Sequence, residues 1–121
     1  MDELLGHGIS LFNAGEFFRC HEVLEEAWTG ERGPRRMFLQ ALIHFAVGFY
    51  HCQKGNRLGA GRQLRKGLKK LAPCLPSCEG IDTARLSREV LVVVDEIDAG
   101  AAAAYPRIHV CASNEAALTG D

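Results

Sequence analysis

The run from Met37 to Gln53 contains no charged residue and is apolar nearly all round a helix, through Met37, Phe38, Leu39, Leu42, Ile43, Phe45, Val47 and Phe49. A helix of this kind has no face to turn to water, so other elements must wrap it. It is short for a bilayer span and carries Gln40, His44, His51 and Gln53, so the wrapping has to be protein. Pro34 suits its first position. A central helix over about 34–54 thus implies an all-α fold with further helices packed around it.

The flanking segments supply those helices. Residues 2–13 read as a first helix, with Gly15 as a left-handed C-cap. Residues 16–28 read as a second. There Phe17, His21, Leu24 and Trp28 follow i, i+4, i+7, i+11 to make an inward stripe, beside Cys20 and Ala27. Gly55-Asn56 breaks the central helix. A fourth covers about 58–71, with Leu64, Leu68, Leu71 and Leu75 as its apolar seam. A Pro/Gly loop, "APCLPSCEGID", leads to a fifth, capped by Asp82 or Thr83 and running to about Ile97. No strand is expected. The expected organisation is one helical domain over 1–108, followed by a loose, small and polar tail over 109–121.

"FNAGEFFRCHEVLEEAW" and "CQKGNRLGAGRQLRKGL" align at a shift of forty positions. Gly15 falls on Gly55, Phe18 on Leu58, Cys20 on Ala60, Leu24 on Leu64 and Trp28 on Leu68. Two weak copies of a tetratricopeptide-like pattern do not make a solenoid, which needs about three. They support stacked antiparallel helical hairpins.

A hydrophobic fraction of 47% and a charged fraction of 24% are those of an ordinary globular chain, and the formal net charge is -1. The charge is unevenly distributed. Residues 1–31 carry seven acids and one base, residues 32–70 ten bases and no acid, and residues 71–121 eight acids and three bases. Such segregation serves helices that complement one another within the fold, or across a homodimer. Five cysteines without framework spacing, and a start lacking a signal-peptide pattern, point to reduced thiols in the cytoplasm. Cys74 and Cys78 are spaced C-x3-C, which is neither the redox nor the zinc spacing.

The polar residues concentrate in one place. "RCHEVLEEAW" differs by one residue from the His-Glu-x-x-His zinc signature, because Glu25 stands where the second His would be. A residue eight positions before a helical turn lies about 12 Å from it, at 1.5 Å per residue. An antiparallel hairpin of the second and third helices therefore sets His21 and Glu25 level with the run Arg36, Gln40, His44. The expected cluster is His21, Glu22, Glu25, Trp28, Arg36, Gln40 and His44, with His51 two turns farther on.

Burying His21 or Gln40 unpaired costs about 1–3 kcal/mol, so the first reading is an internal network in which these groups satisfy one another. A metal site would use His21, Glu25 and His44, with Arg36 as an unfavourable neighbour for a cation. An anion pocket would draw donors from Arg35, Arg36, His21 and His44, between Trp28, Phe17 and Tyr50. Hydrolysis would add Glu22 or Glu25 as base. The basic face of the fourth helix, Arg62, Arg65, Lys66, Lys69 and Lys70, lacks interleaved base readers. At most it would bind nucleic acid weakly and without sequence preference.

"FNAGEFFRCHEVLEEAW", "RMFLQALI", "GFYH", "LRKGLKKL" and "GID", in this order over roughly residues 8–108, resemble the small all-helical prokaryotic proteins of domain-of-unknown-function family 309. The positions carrying the resemblance are Gly15, Phe18, His21, Glu22, Leu24, Glu25, Trp28, Arg36, Gln40 and His51. Ala41 replaces a common Gly. His44 stands where the family often has Gln or an apolar residue. The resemblance implies a compact helical fold and no particular activity. The expectation is a non-enzymatic helical binding or interaction module without a cofactor. A small-molecule or metal-dependent hydrolase is the alternative, and no membrane partner is expected.

Overall fold

The computed structural model describes residues 2–102 and 104–111. Among them the chain forms five α-helices: α1 (Glu3–Asn13), α2 (Phe17–Thr29), α3 (Gly33–Gln53), α4 (Arg57–Leu71) and α5 (Thr83–Asp98). A single 3-10 turn, Ala72–Cys74, follows α4. The only extended pairing among these residues consists of isolated bridges, Cys78 with Ile81 and Ile81 with Val110. Among the described residues no helix is long and apolar enough to cross a membrane.

The helix ends are set by local chemistry. Asp2 caps α1 by accepting from Leu5 N at 2.8 Å, Asn56 caps α4 through Gly59 N at 3.0 Å, and Asp82 caps α5 through Arg85 N at 3.0 Å. At the other ends, α1, α3 and α5 each close on a left-handed glycine: Gly15, Gly55 and Gly100, all at φ 76°. Glu16 N donates to Leu11 O and Gly15 N to Phe12 O, and the same pair of bonds recurs forty residues later from Asn56 to His51 and Gly55 to Cys52. This Schellman geometry consumes carbonyls that would otherwise be orphaned.

The forty-residue repeat therefore extends from sequence into structure. In each hairpin a leucine of the second helix lies on a glycine of the first. A Cβ on Gly8 would sit 2.6 Å from Leu24 Cδ2, and one on Gly48 would sit 2.7 Å from Leu64 Cδ2. Absence of that carbon lets the paired helices approach closely. Cys20 and Ala60 are both fully buried, as are Leu24 and Leu64.

α3 is the centre, as its composition requires. Phe38, Leu39, Leu42, Phe45, Ala46 and Phe49 are each 0% exposed. α2 and α4 pack against α3, α1 against α2, and α5 against α4. Phe49 meets Phe12 and Tyr105 edge-on, with ring centroids 5.8 Å apart in both pairs. Phe17 joins them at 5.4 Å from Phe49. The segment carrying Tyr105 is held by Asn13, whose side chain donates to Ile108 O at 3.0 Å and accepts from Ile108 N at 2.7 Å. Beyond it, Asp82 N donates to His109 O and Cys111 N to Gly80 O, each at 2.8 Å. Of the tail expected over 109–121, residues 112–121 lie outside the described part.

Cys20 lies in this core, and burial pushes its thiol from its ordinary value of 9.0 up to about 12. The folded state therefore holds the proton more tightly than the unfolded chain does. This contribution to stability is complete below about pH 9 and is lost as pH rises from there toward 12. Cys20→Ala is expected to flatten the stability–pH curve in that window, measured by urea unfolding. Parallel curves for the two proteins would contradict the assignment.

Candidate functional site

Within α2, His21 Nε2 lies 3.1 Å from Glu25 Oε1. Their spacing of i, i+4 puts them on one side of α2. The pair is open to water, with side chains 24% and 52% exposed. It sits at one end of a groove of about 210 Å³ lined by Phe18, His21, Val47, Tyr50 and His51. Phe18 and Tyr50 form its aromatic wall, 5.3 Å apart, and the His21 ring is 5.6 Å from Phe18. The ammonium of Lys54 lies 5.5 Å from the Tyr50 ring centroid, within cation–π range.

His51 has an assignable tautomer. The Asn56 carbonyl oxygen accepts from Gly59 N, which turns the amide nitrogen of Asn56 toward His51 Nδ1 at 3.4 Å. An amide nitrogen only donates, so Nδ1 accepts and the neutral ring carries its proton on Nε2. On α2 the Glu25 carboxylate faces His21 Nε2, so Nδ1 is the ring nitrogen left outside that contact. The groove is thus apolar, with two imidazoles at its margin.

The other residues expected in the cluster lie elsewhere. Arg36 stacks on Trp28, 3.9 Å from the ring centroid, and donates to the carbonyls of Trp28 at 3.4 Å and Glu31 at 3.2 Å. It closes the C-terminal end of α2 and makes no bond to Glu25. His44 faces α4, with its Nδ1 2.7 Å from Gln63 Oε1. Residues spaced i, i+4, i+8 rotate by about 40° per step, so His44 is turned about 80° from Arg36. That drift carries the row from the α2 side of α3 to the α4 side. Gln40 is half-buried, and Glu22 is exposed on the outer face of α2.

This arrangement separates the three residues of the metal reading, since His44 is on a different side of α3 from His21 and Glu25. Among the described residues no three His, Cys, Asp or Glu side chains converge to hold a metal ion. The donors of the anion-pocket reading are engaged as well. Arg35 pairs with Asp2, with Glu31 at 3.3 Å and with Glu79 at 3.1 Å, tying the start of α1, the α2–α3 turn and the loop before α5. Phe17, one of the proposed walls, is a core residue at 1% exposure. Phe18 takes the wall position together with Tyr50. Consecutive helix positions point about 100° apart, so the doublet Phe17-Phe18 carries the signal that one ring faces out.

Known proteins of similar sequence are themselves uncharacterised. An uncharacterized protein of Aquifex aeolicus (strain VF5) is 28% identical over 81 residues, which is 66% of this chain and 24% of that protein. The uncharacterized protein YpuF of Bacillus subtilis (strain 168) is 30% identical over 86 residues, 69% of this chain and 49% of that protein. The chain thus spans about half or less of the length of these curated relatives. Residues 5–63, the segment that carries α1, α2, α3 and the start of α4, match the family model described as Domain of unknown function (DUF309).

Proposed function

We propose that the chain is a non-enzymatic helical binding module of the cytoplasm, and that its recognition site is the α2–α3 groove. The observation that carries this reading is the groove's make-up: Phe18, Val47 and Tyr50 offer apolar wall, and His21 and His51 offer polar contacts at its edge. Small binding sites combine these two ingredients, apolar surface for affinity and a few placed polar groups for orientation. The space of about 210 Å³ suits one aromatic or branched apolar group, such as a partner's side chain. Nuclear magnetic resonance titration with short peptides bearing a central Trp, Phe or Leu tests it. Shifts are expected at Phe18, His21, Val47, Tyr50 and His51, with loss of binding by at least tenfold in Phe18→Ser. Shifts scattered over the surface, or unchanged binding by the variant, would refute the reading.

One observation favours a second reading. A carboxylate that orients an imidazole beside an apolar groove is also the geometry of a general base. In this alternative His21 is the base, Glu25 holds it and the exposed Glu22 takes no part. Turnover of small esters that disappears in His21→Ala, while the fold is retained, would favour it.

A further inference from the structure

The forty-residue repeat sets opposite charges at equivalent positions. Glu22 corresponds to Arg62, Glu25 to Arg65 and Glu26 to Lys66, and all six side chains are exposed. The buried seams, Cys20 and Leu24 in α2 and Ala60 and Leu64 in α4, give the two helices the same rotation about their axes. The acids and the bases therefore occupy the same outer face of their respective helices. Each face begins with an exposed apolar side chain, Phe18 at 49% and Leu58 at 66%.

The fold does not use this complementarity. Ion pairs among the described residues join Arg35 to its three carboxylates, Arg65 to Asp98, Arg85 to Glu89 and His21 to Glu25. Glu22, Glu26, Arg62 and Lys66 have no oppositely charged partner there. α2 packs on α1 and α3, while α4 packs on α3 and α5. The acidic and basic faces thus remain available, matched in spacing by the repeat itself.

We propose that the occupant of these faces is a second copy of this chain. The outer face of α2 lies on the outer face of α4 of the second copy, and the same contact recurs with the roles exchanged. Such an isologous pair satisfies both faces at once and closes on itself. With parallel helices in register, Glu22 opposes the other copy's Arg62 and Glu26 its Lys66, while Phe18 and Leu58 meet at one end. Exposed ion pairs are individually weak and are screened by salt, so the association is weak and sensitive to ionic strength.

Sedimentation equilibrium of the full chain tests the proposal. At low ionic strength the weight-average mass is expected to approach twice the monomer mass with rising concentration. Above about 0.5 M salt, where charges more than a few Å apart are screened, it is expected to return to the monomer. Glu22→Lys with Glu26→Lys, and separately Arg62→Glu with Lys66→Glu, are each expected to be monomeric. An equimolar mixture of the two double variants is expected to recover the dimer, because every opposed pair is again of opposite charge. If a reversed variant does not fold, Glu22→Gln with Glu26→Gln replaces it, with an expected several-fold weakening. A wild-type chain that stays monomeric at low salt, whether or not it binds a polyanion such as heparin, overturns the proposal. So does a mixture that remains monomeric, or a double variant that dimerises like the wild type.

Discussion

Leu64→Ala is expected to destabilise the chain by about 2–5 kcal/mol, and it should reverse the sign of a second substitution, Gly48→Ala. Leu64 is 0% exposed, so truncating it removes buried apolar surface and leaves a cavity between α3 and α4. Gly48→Ala alone places a methyl 2.7 Å from Leu64 Cδ2 and 2.8 Å from its Cγ. Cγ is a branch point in a packed side chain and cannot simply swing away. Overpacking of this kind costs about 1–3 kcal/mol. Against it stands the gain from replacing a mid-helix Gly by Ala, about 1 kcal/mol. In the wild type the clash wins. With Leu64 shortened the clash disappears, the new methyl partly fills the cavity, and Gly48→Ala becomes stabilising. A double-mutant cycle by urea unfolding reads this directly. Additive effects would mean that the two residues are not in the contact described. The equivalent pair, Gly8 and Leu24, is expected to behave in the same way.

Much of this architecture is legible in the sequence, because it rests on local rules. The uncharged run through α3 announces a wrapped helix, Gly15 and Gly55-Asn56 announce helix ends, and Asp82 announces a helix start. All three are decided within a few residues. The grouping of His21 with Glu25 is local too. The rest of the site depends on angles and on distant partners. Arg36, Gln40 and His44 look like one row, yet the 40° drift at each step divides them between two neighbouring helices. Arg35 reads as a free donor until the fold brings Asp2 and Glu79 beside it. The pairing of Asn13 with Ile108 crosses 95 residues and carries no sequence pattern at all. The groove is the intermediate case: the Phe17-Phe18 doublet shows that an aromatic ring must face outward, but only the packing of α2 on α3 shows that Tyr50 stands opposite it.

Phe49→Ala is expected to cost about 3–5 kcal/mol, and its effect should reach a part of the chain that the stability change alone would not single out. Phe49 is fully buried and touches Phe12, Phe17 and Tyr105, so it joins α1, α2 and the segment after α5 through one ring. Removing the ring forfeits its own burial and three aromatic contacts, each worth about 0.5–1.5 kcal/mol beyond area. Tyr105 itself is 43% exposed, so it has little other anchorage. Without Phe49, the segment near Tyr105 keeps the Phe17 ring, 5.3 Å from Tyr105, and the two Asn13 bonds to Ile108, while the backbone bonds of His109 and Cys111 hold only its far end. Amide exchange at Ile108 should therefore accelerate more than exchange within α5. Phe49→Leu, which keeps most of the volume, is expected to cost about 1.5 kcal/mol or less and to leave that exchange pattern nearly unchanged. Uniform acceleration across α5 and Ile108 in Phe49→Ala would show that the segment is held by something other than the aromatic cluster. Adding Asn13→Ala to Phe49→Leu isolates the polar half of the anchor: Ile108 should then exchange rapidly while the core stays intact.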